Sequence, residues 1–279
     1  KGTIVSMKNR EKGVIEIDGF RYDFEDARKP PIRVKFPIQT TSTSVLFDIG
    51  SGIASRVEAS IGAGALDGLV VGHMHADHWI DIAPLRYRFP WGEPSPKPLA
   101  VYLPPGGKAK LDHLAIVISE RPGFFEDAFD IREYATGDPF QIGDITVRPH
   151  PVGHYVPAWS MDISGPNGER VVYAGDMGPT DDIVELATGA DLLILEATLD
   201  TNRYDDVKRG HLTAEEAVDH VVRAGVPLGI LVHYPYERLE AIRAICAPTE
   251  GRVAPAVPRA IVEVAAGRPP ALTLPDRRA

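Results

Sequence analysis

The sequence predicts an α/β fold, and three observations carry that prediction. Short apolar runs of strand length, rich in β-branched residues, recur at residues 69–71, 190–196 and 228–232 and read as buried strands. Between such runs the apolar residues switch to helical spacing, as at Ile53, Val57 and Ile61. Gly62, Gly189 and Gly225 then stop the helices. Strand, turn, helix and strand in that order is the repeating unit of a layered α/β chain.

Residues 1–47 read as short strands at 3–7, 13–17, 32–36 and 44–47, separated by turn signals at Asp18-Gly19 and Pro30-Pro31. The polar run 39–44 is either a sheet edge or a loop at the site. Asp48 closes the strand 44–47, and the glycines of FDIGSG let the backbone turn tightly beneath it. The run 69–71 stops at Gly72 and is followed at once by His73, His75, Asp77 and His78. In an extended segment alternate residues share a face, so His73 and His75 point one way while the turn delivers Asp77 and His78 to an adjacent point. That geometry suits two metal ions rather than one. Imidazole together with carboxylate favours zinc, with manganese or iron as the alternatives.

HMHADH resembles the HxHxDH signature of the metallo-β-lactamase superfamily, and the resemblance spans roughly residues 45–238. It implies a four-layer αββα sandwich with a binuclear metal site between two sheets. It also implies that Asp48 steadies the histidine loop, and that further ligands wait at downstream strand ends. Residues 1–43 match the family poorly, because the glycine-rich loop its members carry near the start is missing.

After the histidines, Ile82, Leu85 and Phe89 lie at helical spacing, predicting one helix over 79–89 with Pro84 near its start. A proline-rich loop (90–98), a strand (99–103) and a helix (108–119) follow. The interval 120–139 is acidic and aromatic together. Its Phe124, Phe125 and Phe129 line the pocket, meet a second subunit of a homodimer, or cover the helix beneath them. The segment ITVRPHPVGHYVPAWSMDI is a strand leading to His150 and His154 and then another strand. His154 follows a glycine, as the next family ligand does, and His150 competes with it. Trp159 and Tyr155 are expected to flank the substrate.

The run GPNG (165–168) is a hairpin turn into a strand over 170–174. Asp176, on the turn at Gly175, matches the family's bridging aspartate, and Thr180 caps the helix 181–188 in its place. The strand 190–196 leads into a polar loop, 200–210. Thr213 and Glu216 then form a capping box for a helix reaching Ala224. His211, at the positive end of that helix, is a candidate phosphate contact or proton donor, with a loop hydrogen-bonding role as the alternative. The strand 228–232 delivers His233, and Arg238 of HYPYER is a further substrate contact. A helix (239–247) and a strand (260–264) precede a proline- and arginine-rich tail, 266–279, expected to be loose. With no repeat and no clear linker, residues 1–279 read as one domain.

By resemblance, His73, His75 and His154 hold the first metal, Asp77, His78 and His233 hold the second, and Asp176 bridges. Such a pair lowers the pKa of a shared water from ~16 towards ~7 and clamps the attacking and leaving oxygens in line. Asp77, Asp176 and His211 are thus the catalytic candidates of a hydrolase. The bridging aspartate, GHLTAEEA and HYPYER resemble the phosphodiesterase branch, which holds ribonuclease Z and small cyclic phosphodiesterases. Two departures count against tRNA processing. Ribonuclease Z carries a tRNA-gripping arm between its third histidine and bridging aspartate, but here His154 and Asp176 are 22 positions apart. It also has histidine where this chain has Leu195, before Glu196. A small phosphodiester is the expected substrate. A ribonuclease Z-type endonuclease, a lactonase or thioester hydrolase, and a non-hydrolytic redox or metal-binding module are the alternatives.

Composition agrees. A net charge of -9 disfavours a generic polyanion-binding surface. The single cysteine, Cys246, excludes an intrachain disulfide framework and reads as a small core residue. No apolar run approaches the ~18 residues of a membrane span, and the first residues lack the apolar core of a signal peptide, so a cytoplasmic location is expected.

Overall fold

The computed structural model describes residues 14–17, 20–23, 37–89, 97–201 and 209–274. The strands expected at 3–7 and 32–36, most of the loop at 90–98, the centre of the loop at 200–210 and the last five residues lie outside them. Two sheets face one another. One has five strands in the order β3 (Pro37–Gln39), β4 (Ser44–Phe47), β5 (Gly68–Val70), β6 (Leu99–Leu103) and β7 (Phe129–Glu133), all parallel except the antiparallel edge β3. The other has seven. An antiparallel run of β8 (Phe140–Ile142), β9 (Ile145–Val152), β10 (Ala158–Ser164) and β11 (Arg170–Tyr173) continues in parallel through β12 (Leu192–Glu196), β13 (Leu228–Val232) and β14 (Val253–Pro255). Two hairpins form separate two-stranded sheets: β1 (Val14–Ile17) with β2 (Phe20–Asp23), and β15 (Ile261–Ala265) with β16 (Arg268–Thr273).

Side-chain alternation turns these sheets into four layers. Along β4, Val45 and Phe47 point to the opposing sheet and meet Val147, Met161, Tyr173 and Ile194, while Leu46 points outward. On that outer face Leu46, Leu69, Val101 and Leu103 pack against α1 (Ile53–Ser60), α3 (Ile82–Arg86) and α4 (Gly107–Ser119). On the other side, Val172, Leu193, Leu195 and Leu231 pack against α5 (Asp182–Ala187), α6 (Ala214–Ala224) and α7 (Leu239–Cys246). The order αββα is the one the family resemblance implies. Cys246 is buried in that last layer, as expected of a small core residue. No helix among the described residues is long and apolar enough to cross a membrane.

Two expectations need correction. The helix expected over 79–89 is two short ones, α2 (Ala76–Trp79) and α3, because Pro84 is accommodated in the first turn of a new helix. The tail is not loose over residues 268–273: β16 pairs with β15, and Val262, Val264 and Leu272 pack against the inter-sheet core. Pro269 and Pro270 are tolerated there because, among the described residues, β16 has a strand partner on one side alone. Phe124, Phe125 and Phe129 are buried in the helix layer with Leu99 and Leu111, and Arg86 lies over the Phe124 ring with its carbon Cζ 3.8 Å from the centroid. They cover the helix beneath them, one of the roles expected of them, and are too buried to line a pocket. The run 39–44 is a sheet edge, the turn between β3 and β4, anchored where Thr40 and Ser42 donate to Asp144.

Candidate metal centre

The parallel strands β4 and β5 of one sheet, and β11, β12 and β13 of the other, end on a common rim; β9 runs the same way, being antiparallel to β10. Polar side chains at strand ends therefore converge between the sheets, the position that open α/β sheets reserve for ligands. β5 ends at Val70, and after an extended His73 to His75 the chain enters α2, whose first turn presents Asp77 and His78. β9, β11 and β13 supply His154, Asp176 and His233 just beyond their ends.

Two ligand groups result. His73 Nε2 is 3.1 Å from His75 Nδ1, which is 3.0 Å from His154 Nε2. Beside them, His78 Nε2 is 3.0 Å from Asp176 Oδ2 and 3.5 Å from Asp77 Oδ2, and His233 Nε2 lies 3.3 Å and 3.4 Å from the Asp77 and Asp176 Oδ2 atoms. Asp176 Oδ2 is also 3.8 Å from His73 Nε2, so one carboxylate touches both groups. His150, the competing candidate, sits on β9 opposite Ser160 and joins neither group.

The protonation pattern tests whether these residues fit a metal. His78 Nδ1 faces Asp48 Oδ2 at 2.8 Å, His154 Nδ1 faces the Gly210 carbonyl at 2.6 Å, and His233 Nδ1 faces the Thr198 hydroxyl at 2.7 Å. A neutral ring that donates from Nδ1 has its lone pair on Nε2. Three lone pairs then converge with two carboxylates, an arrangement that a divalent cation satisfies. Burial, assisted by the neighbouring His78, pushes His73 down to about 3, and burial also lowers His75 and His154. These rings are neutral at neutral pH, as metal ligation requires.

Asp48 organises the histidine turn. Its backbone is left-handed at φ 59°, which aspartate tolerates, and its carboxylate accepts from Gly72 N–H at 2.8 Å, His78 Nδ1–H at 2.8 Å and Tyr173 O–H at 2.6 Å. Gly50 beside it has no substitute, since a Cβ there would lie 1.8 Å from the Asp77 carbonyl oxygen. Asp48→Ala strands three buried donors, and we expect urea unfolding to report a loss on the order of 4 kcal/mol.

His211 lies at the open side of the cluster, its ring centroid 4.9 Å from that of His154 and 5.7 Å from that of His233. Its Nδ1 is 2.8 Å from Glu196 Oε1. Burial works to strip the ring of its proton, but the hydrogen bond and charge of Glu196, with Asp176 and Asp77 behind it, outweigh burial and raise its pKa. Burial also raises the pKa of the Glu196 carboxyl, while backbone N–H groups of Met177 (2.8 Å) and Thr198 (3.3 Å) hold it as the anionic partner. The expected capping box is present: Thr213 Oγ1 accepts from Glu216 N–H, and the Glu216 carboxylate accepts from Thr213 N–H.

The expected substrate contacts fare differently. Trp159 is buried between the sheets, donates its indole N–H to Thr136 Oγ1 at 2.9 Å and meets the Tyr134 ring edge-on, so it serves the core rather than flanking a substrate. The guanidinium of Arg238 donates to the carbonyls of Ala197 and Thr198. Tyr155 is 60% exposed with its ring 5.6 Å from that of His211. Glu196, Thr198 and Tyr173 carry roles that sequence reasoning missed. Glu196 had a signal, being a lone carboxylate closing the all-buried strand LLILE. Thr198 and Tyr173 had none.

The β-lactamase superfamily domain matches residues 43–234, which takes in every ligand named above. The chain belongs to that superfamily. A ribonuclease Z of Mycolicibacterium paratuberculosis is 31% identical over 209 residues, covering 68% of this chain and 75% of that protein. Among solved structures, the metallo-β-lactamase fold protein YhfI from Bacillus subtilis superposes with a TM-score of 0.69 at 23% identity, over 81% of this chain and 89% of that one. A diphosphatase from the PhnP family gives 0.64 at 17% identity, over 81% of each chain. The four layers are thus the metallo-β-lactamase fold, and the chain is a member of a metallo-hydrolase family whose His/Asp cluster is compatible with divalent metals.

Proposed function

We propose that this protein is a binuclear, zinc-dependent phosphodiesterase acting on small or cyclic phosphodiesters. The observation that carries this reading is the His211–Glu196 pair beside the ligand set. A phosphodiester leaving group departs as an alkoxide that needs a proton, and a histidine kept protonated by a buried carboxylate is suited to give it. His73, His75 and His154, and Asp77, His78 and His233, with Asp176 shared by both groups, would hold two divalent ions, which when bound would supply the Lewis acidity for attack by water near neutral pH.

The chain's own groups do the rest. Asp77, 28% exposed at its side chain, receives the proton of the attacking water. Asp176 fixes the spacing of the two ligand groups. His211 Nε2 delivers a proton to the departing oxygen while Nδ1 stays bound to Glu196. Arg238 braces the carbonyls of Ala197 and Thr198 and so steadies the loop that bears Thr198.

Substrate size follows from the path between His154 and Asp176. β10, a turn at residues 165–169 and β11 use up that stretch, which leaves no arm to grip a folded RNA. The named relatives, a ribonuclease Z and a diphosphatase, support chemistry at phosphorus. Bis-p-nitrophenyl phosphate assayed against a lactone panel, each with and without chelator, tests the reading. Chelator-sensitive phosphodiester cleavage with no lactone turnover is expected; lactone turnover without phosphodiester cleavage would replace it with an acyl hydrolase.

A further inference from the structure

Thr198 lies in the loop after β12, and its one hydroxyl reaches two atoms of a single ligand residue. Oγ1 is 2.9 Å from the His233 carbonyl oxygen and 2.7 Å from His233 Nδ1. A hydroxyl has one proton and a carbonyl oxygen only accepts, so that proton goes to the carbonyl. The ring must then donate Nδ1–H to Oγ1, which leaves the lone pair on Nε2. Nε2 is the atom that faces the Asp77 and Asp176 carboxylates, at 3.3 Å and 3.4 Å.

Without the hydroxyl the balance reverses. In the metal-free protein two carboxylates attract a proton to Nε2, and the ring in that tautomer has no lone pair to offer a cation. The backbone makes a second demand: His233 is left-handed at φ 56°, a conformation that is sterically unfavourable for an L-residue. A hydrogen bond to its carbonyl holds the peptide in that orientation. Thr198 is itself fixed from both sides, its N–H 3.3 Å from Glu196 Oε2 and its carbonyl accepting from Arg238 Nη1 at 3.1 Å. The same short loop therefore ties the His233 ligand to the Glu196–His211 pair.

We infer that Thr198 is a positioning residue that selects the Nδ1–H tautomer and the backbone of His233, and thereby sets the affinity of the second metal group and not of the first. The inference rests on the two-metal reading above. Thr198→Val keeps the size and branching of the side chain without its hydroxyl, and Thr198→Ser keeps the hydroxyl. Zinc titration of metal-stripped protein against a chromophoric chelator resolves two binding steps. For Thr198→Val we expect one of the two steps to lose roughly 10- to 100-fold in affinity while the other is unchanged, and Thr198→Ser to restore it.

Long-range nitrogen–proton NMR of the stripped wild type reads the tautomer without any metal. His233 protonated at Nδ1 supports the inference, and a shift to Nε2 in Thr198→Val supports it further. Protonation at Nε2 in the wild type overturns it, as does equal weakening of both steps, or none, in Thr198→Val. Should Thr198→Val not fold, the wild-type tautomer and the Thr198→Ser titration decide. If the wild type takes up fewer than two ions, the two-metal reading and the affinity claim both fall, while the tautomer measurement still judges the role of the hydroxyl.

Discussion

Replacing Asp176 with alanine is expected to lower kcat/KM by on the order of 10⁴-fold and to reduce bound zinc from two ions to one or fewer. Asp176 touches both ligand groups, with its Oδ2 3.0 Å from His78 Nε2, 3.4 Å from His233 Nε2 and 3.8 Å from His73 Nε2. Burial opposes its charge, but His233, His78 and His73 around it hold the carboxyl well below the usual carboxylate range. It is anionic wherever the enzyme works, and a depressed carboxylate pKa contributes stability that is lost only as pH falls through that value. Steady-state kinetics and elemental analysis of the purified variant, with circular dichroism to show that it folds, check the expectation. Activity within tenfold of wild type, or two retained ions, would remove Asp176 from the bridging position.

Removing His211 should give a loss that depends on the leaving group. For a substrate expelling an alkoxide, His211→Ala is expected to lower kcat by roughly 10³-fold, in the range of a positioned general acid. For bis-p-nitrophenyl phosphate the loss should be under about tenfold, because p-nitrophenolate is stable enough to leave without a proton. The pH profile carries the sign. The His211 pKa is raised, so the acid is present at low pH and the rate falls as pH rises through that value. Glu196→Gln removes the partner that holds the proton, and the alkaline limb should move to lower pH. A loss in His211→Ala that is equal for both substrates would mean that His211 binds the phosphate and does not protonate the leaving oxygen.

The parts of the molecule legible in the sequence were those governed by local patterns. LLILE and LGILV are buried on both faces, so their continuous apolar runs marked β12 and β13. Thr213 with Glu216, and Gly225 at φ 68°, fixed α6 from chemistry local to its ends. The residues that converge on the candidate metal centre were legible because a compact histidine cluster has few other uses, and the downstream partners each follow a strand. Residues defined by contacts distant in the chain were not legible. Tyr173 bonds Asp48 across 125 positions and Thr198 bonds His233 across 35, and nothing local distinguishes either from an ordinary tyrosine or threonine.

Trp159 misled for a related reason. An aromatic five positions after a ligand reads as a substrate wall, but the strand register places it opposite Pro151 and its side chain turns between the sheets towards Thr136. β16 was obscured because Pro269-Pro270 reads as a breaker, although a hairpin strand paired on one side accepts proline. Glu196 lies between these cases. Its charge at the end of an apolar strand was visible, but the partner that gives it a role, His211, arrives from 15 positions further on.

The most direct test of a two-cation centre is an anomalous difference map from crystals of the zinc-loaded protein, recorded on both sides of the zinc absorption edge. Two zinc peaks are expected, roughly 3.5 Å apart, one among His73, His75 and His154 and the other among Asp77, His78 and His233, with Asp176 reaching both. A single peak, or a second ion held by side chains outside this set, would contradict the account.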